Sequence, residues 1–116
     1  ARLAVAEKPP AAGTPEKPGA ASPEAALLDR VLHELAASQL LGGNRAALIA
    51  ALEEYEARVR SPDPRRHAWV LLQLAQAKKR NGALEAARRT FQKCDQLYPR
   101  SIEARECREE LAGMKG

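Results

Sequence analysis

The sequence predicts an all-α fold built of antiparallel helical hairpins. Apolar residues recur at three- and four-residue spacing in five successive stretches. Short turns rich in Gly, Pro, Asn and Asp separate those stretches. Aromatic residues make up only 3% of the chain, and much of its 45% hydrophobic content is alanine. That composition suits closely packed helices better than a sheet sandwich, which draws on β-branched and aromatic side chains. At 116 residues the chain has a one-domain length.

Residues 1–23 read as a Pro/Ala-rich flexible linker. Five of the eight prolines (Pro9, Pro10, Pro15, Pro18, Pro23) fall there with Gly13 and Gly19, and the few small apolar side chains cannot offset the entropy of ordering. Residues 24–116 read as the folded domain. Ser22-Pro23-Glu24 starts the first helix, with a capping hydroxyl, proline in the first turn and an acid at the positive end of the dipole. Leu28, Val31, Leu32, Leu35 and Gln39 follow at helical spacing, and Gly42-Gly43-Asn44 ends the helix. The second helix is expected from about Arg45 to Arg60, with Leu48, Leu52, Tyr55 and Val59 on one stripe. Ser61-Pro62 breaks it.

Asp63 then caps a third helix with Pro64 at its first position. That helix carries Trp69, Leu71, Leu72, Leu74 and Ala75 and closes on Lys78-Lys79-Arg80 before the Asn81-Gly82 turn. The three cations complement the negative end of the dipole. The fourth helix places Leu84, Ala87, Phe91, Cys94 and Tyr98 on one side, and Pro99 stops it. Ser101 caps the fifth, whose stripe is Ala104, Cys107, Leu111 and Met114 and whose remaining residues are charged. Short connections make consecutive helices antiparallel neighbours.

Several function classes are disfavoured. Net charge is +4, but acids are interspersed with the bases and aromatics are scarce, unlike a nucleic-acid surface. Arg58, Arg60, Arg65 and Arg66 flank the Ser61-Pro62 loop, where a solvated loop is the simpler reading than a site for an acidic partner. No apolar run reaches the roughly 18 residues of a membrane span. No CxxC spacing exists for zinc, and neither His33 nor His67 has a ligand partner in sequence. Gly42-Gly43 lacks the lysine of a phosphate loop. The expectation is a non-enzyme without cofactor or metal.

Cys94 and Cys107 lie on the apolar stripes of neighbouring helices across the Pro99 turn. Antiparallel packing brings them to similar heights, where a disulfide can form in an oxidising compartment. The alternative is a pair of buried thiols serving as small apolar side chains.

The stretch from Ala68 to Ser101 resembles a tetratricopeptide (TPR) repeat. Leu71, Leu74 and Ala75 supply the large-and-small pattern of the repeat's first helix, and Gly82 its turn. Ala87, Phe91, Cys94 and Pro99 match the second helix in order and spacing. Lys78 departs from the pattern, standing where the family has a large apolar residue. Aligning Gly43 with Gly82 gives a second, degenerate copy over about 29–60, with Leu32, Leu35 and Ala36 in place of Leu71, Leu74 and Ala75. Its offset exceeds the family's usual period of about 34 residues. The fifth helix then reads as a polar-faced cap. The alternative is a helical bundle with no relation to repeats.

The resemblance implies a scaffold of about two repeats that binds a peptide or another protein in a concave groove. The groove positions it implies are Trp69, Leu72, Gln76 and Lys79 in the clear copy and Arg30, His33 and Ala37 in the degenerate one. Trp69, the sole tryptophan, would be an aromatic anchor; its alternative is packing under the proline-rich linker or against the second helix. The family's carboxylate clamp is not expected, because Leu72, Gln73 and Ala37 replace its donors. The Pro/Ala segment, Arg/Ala-rich helices and cysteine pair also resemble bacterial cell-envelope TPR proteins. That likeness implies a periplasmic setting and an anchor or signal segment upstream of Ala1, with the cytoplasm as the alternative. Two other functions stay open: an oligomerisation module and a basic binder of anionic surfaces.

Overall fold

The computed structural model describes residues 23–114. The linker expected over 1–23 therefore lies outside the described residues except for Pro23, as does the Ser22 cap. The described residues form five helices: α1 (Pro23–Gly42), α2 (Arg45–Arg58), α3 (Pro64–Arg80), α4 (Leu84–Leu97) and α5 (Ile102–Gly113). Each packs antiparallel on the next. In addition α3 touches both α1 and α5, so α1, α3 and α5 lie side by side in one layer, with α2 and α4 behind them.

Local chemistry fixes the boundaries. Asn44 Oδ1 accepts from the Ala47 N–H at 3.0 Å. Asp63 Oδ2 accepts from the N–H groups of Arg65 and Arg66 at 3.1 and 3.2 Å. Ser101 Oγ accepts from the Ala104 N–H at 2.9 Å. Each cap satisfies donors that the first helical turn leaves without intrahelical partners. The chain reverses after α3 through Gly82, whose φ of +86° is a left-handed conformation open to glycine at little cost. α2 ends two residues earlier than the sequence suggested. Val59 leaves the helix at φ −87° and ψ 109°, and its side chain turns into the core.

Two apolar cores result, with α3 between them. The first gathers Leu32 and Ala36 of α1, Leu48, Ala51, Leu52 and Tyr55 of α2, Val59, and Val70, Leu74 and Ala77 of α3. The second gathers Leu71, Leu72 and Ala75 of α3, Ala87, Phe91 and Cys94 of α4, and Cys107 of α5. The stripes expected for α2 and α4 are thus the buried ones, apart from Leu84 at the exposed start of α4 and Tyr98, half-buried just past its end.

The buried face of α1 differs from expectation. Leu32 is buried, but Val31 and Leu35 are exposed, and Asp29 is buried instead. A specific set of partners draws the carboxylate inward. The Tyr55 hydroxyl donates to Asp29 Oδ1 at 2.6 Å, and the Asp63 N–H donates to Oδ2 at 2.6 Å. Arg66 Nη1 stands 3.8 Å from Oδ1. A buried carboxylate is tolerated when such donors replace water. Here they bind α1 to α2 and to the start of α3.

Candidate functional site

The open face of the α1–α3–α5 layer is where most of the sequence-derived site residues lie. The caps at Asp63 and Ser101 set the starts of α3 and α5 beside one another. Between them opens a hollow of about 670 Å³. Pro64, Ala68, Tyr98, Pro99 and Ile102 give it apolar walls, and Arg65, Arg100 and Glu103 give it charge. Ile102 is 78% exposed beside this apolar depression. The positive ends of two helix dipoles meet near the same place.

Farther along the same pair of helices, Gln76, Lys79, Arg80 and Glu110 line a smaller hollow of about 220 Å³. Lys79 Nζ is held 2.5 Å from Glu110 Oε1. Between α1 and α3, His33 meets Trp69 edge-to-face with ring centroids 4.8 Å apart. Trp69 is half-buried and also packs on the first core, so part of its ring is structural and part faces outward. Burial and the nearby Arg66 charge hold the His33 pKa below its ordinary value, partly opposed by Asp29; His33 is therefore neutral near pH 7. Ala37 is half-buried and Arg30 exposed on α1.

Leu72 is the exception among the expected groove residues. It is 5% exposed and sits in the second core with Leu111 and Met114 against it. The helix that covers it is α5, which closes over this flank of α3, so Leu72 does not reach the open face.

A polar network lies behind the larger hollow. The Tyr98 hydroxyl is 2.5 Å from His67 Nδ1, and His67 Nε2 contacts Glu56 of α2. Lys93 Nζ of α4 donates to Glu56 Oε2 at 2.6 Å. In the neutral imidazole, Tyr98 donates to Nδ1 and the Nε2–H donates to the carboxylate. Burial works to raise the Glu56 carboxyl, but the hydrogen bonds from His67 and Lys93 outweigh it and hold the pKa at about 2. Tyr98 is pushed up by burial and then by the Glu56 charge.

Of the four arginines around Ser61-Pro62, Arg60 is exposed and the other three have different settings. Arg58 pairs with Glu54 at 2.7 Å, Arg66 stands by Asp29, and Arg65 belongs to the hollow. The two cysteines are free and fully buried. The Cys94 thiol donates to the Ala68 carbonyl oxygen at 3.9 Å; the neighbouring Cys107 thiol lowers the Cys94 pKa, and Cys94 together with burial raises that of Cys107. Among the described residues no group of three or more His, Cys, Asp or Glu side chains is gathered for a metal ion. None of the described helices is long and apolar enough to cross a membrane.

Sequence reasoning missed Asp29 and the hollow at Ile102. The signal for Asp29 was its spacing: it precedes Leu32 and Ala36 by three and seven positions, on the face those residues bury. The signal for the hollow was weaker, a lone isoleucine directly after a helix cap.

The described residues thus form an all-α domain of five helices packed in sequence, with an open face on the three-helix layer. Comparison with protein-family models, with curated proteins and with solved structures finds no match for this chain.

Proposed function

We propose that this domain is a non-enzymatic, TPR-like adaptor that takes a peptide segment of another protein on the α1–α3–α5 face. The observation that carries the reading is the apolar hollow between the starts of α3 and α5, with Ile102 exposed beside it and Arg65 and Arg100 supplying positive charge. An extended segment with one apolar side chain and a neighbouring carboxylate matches that chemistry. Gln76 supplies a side-chain amide, and Trp69 an outward ring edge, farther along the same layer. The hairpins α1–α2 and α3–α4 followed by α5, with Arg105, Glu106 and Glu109 exposed, are the arrangement that two repeats and a polar cap would take.

Selection from a random peptide library on the immobilised full chain tests this. Enriched sequences should combine an apolar residue with Asp or Glu, and Ile102→Glu should lower their affinity at least about tenfold, the effect of roughly 1.4 kcal/mol. Circular dichroism confirms that the variant is folded. No enrichment, or binding indifferent to Ile102→Glu, would sink the reading.

A further inference from the structure

The exposed side of α1 carries an apolar stripe that the groove does not use. Leu27, Val31 and Leu35 recur every four residues and are 58%, 50% and 40% exposed. The alignment of Gly43 with Gly82 shows what the stripe is suited to. Val31 and Leu35 correspond to Val70 and Leu74, which are 0% and 4% exposed because α3 packs them on the preceding helix, α2. In α1 the same side is equally apolar but uncovered among the described residues. It is a helix-packing surface.

We infer that α1 pairs with α1 of a second copy in an antiparallel two-fold dimer, Val31 facing the partner's Val31 and Leu27 facing the partner's Leu35. The other end of the domain does not fit the stripe: the exposed side of α5 presents Arg105, Glu106 and Glu109, and stacking α1 on it would bury unpaired charge. Head-to-tail assembly is thus disfavoured and a self-complementary contact remains. The flanking charges select the antiparallel direction. Arg30 and Glu34 are exposed along one edge of the stripe. With Val31 on the dyad, Arg30 lies within about 3 Å, measured along the helix axis, of the partner's Glu34, and the symmetry makes the pair twice. One helix per copy buries less than the roughly 800 Å² per partner of a standard stable interface, so the dimer is weak and concentration-dependent. This inference is independent of the peptide-binding proposal.

Sedimentation equilibrium of the full chain over a wide concentration range provides the test. The mass should rise from 12.6 kDa toward twice that value. Val31→Glu should abolish the rise; its side chain is half-exposed, so the helix keeps its native packing, as circular dichroism would verify. Arg30→Glu should weaken association, and Arg30→Glu combined with Glu34→Arg should restore it. Oxidised Val31→Cys should give a cross-linked dimer, since both native thiols are buried. A mass that stays at 12.6 kDa at every concentration overturns the inference. Association that survives Val31→Glu overturns the interface, and a double swap that fails to restore it overturns the antiparallel register.

Discussion

Replacing Glu56 by Gln should flatten the acid limb of this domain's stability curve. Glu56 projects from α2 to His67 on α3 and Lys93 on α4, so one carboxylate ties three helices. Its pKa is held at about 2 against an ordinary 4.5. That gap, at about 1.4 kcal/mol per pH unit, corresponds to about 3 kcal/mol of stabilisation when the group is ionised. The side chain is only 20% exposed, so solvent screening removes a minor part. The carboxyl is more acidic in the folded chain than in the unfolded one. Its contribution is therefore complete above the unfolded value of 4.5 and is lost as pH falls toward 2. Urea midpoints followed by circular dichroism from neutral pH to about pH 2 read this directly. Wild type should lose about 3 kcal/mol more than Glu56→Gln across that window, because glutamine has no proton to gain. Other carboxylates titrate in both proteins and cancel in the difference. Parallel curves would refute the reasoning, showing that His67 and Lys93 do not favour the ionised carboxylate.

Tyr55→Phe deletes the donor to the buried Asp29 and keeps the ring; it should cost about 1.5–3 kcal/mol, the range for hydrogen bonds to charged groups, measured by chemical denaturation. A loss under about 0.5 kcal/mol would mean that Asp29 does not depend on Tyr55. For the cysteines, mass spectrometry after alkylation without reductant should find no adduct on the native chain and two after unfolding, because Cys94 and Cys107 are free and 0% exposed. No adduct after unfolding would instead reveal a disulfide, and rapid native labelling would contradict the burial.

What the sequence made legible was local. The caps at Asn44, Asp63 and Ser101 could be read because each acts on backbone donors within three residues of itself. The α4 stripe of Ala87, Phe91 and Cys94 could be read because polar residues surround it. α1 offered no such contrast. Leucine or valine occupies positions 27, 28, 31, 32, 35, 40 and 41, covering most of its circumference, so periodicity alone could not choose the buried side. The choice fell to Tyr55 and to the Asp63 N–H, which draw Asp29 inward from distant parts of the chain. Leu72 was misplaced for a related reason. Its environment depends on α5, whose position over α3 no pattern within α3 encodes. The hollow beside Ile102 likewise exists only because two helix starts, far apart in sequence, are neighbours in space.

The placement of α3 between the two cores has a further consequence. Val70, Leu74 and Ala77 belong to one core, and Leu71, Leu72 and Ala75 to the other. A hairpin that opened on either side would strip one flank of α3 while leaving the other flank packed. The halves are therefore not separate folding units: each is completed by a helix that the other also requires. Amide protons in the middle of α3 should exchange only through opening of the whole domain, while those of α1 and α5 exchange through smaller, cheaper openings. The same helix that presents Trp69 and Gln76 to the open face is thus the last to lose its shape.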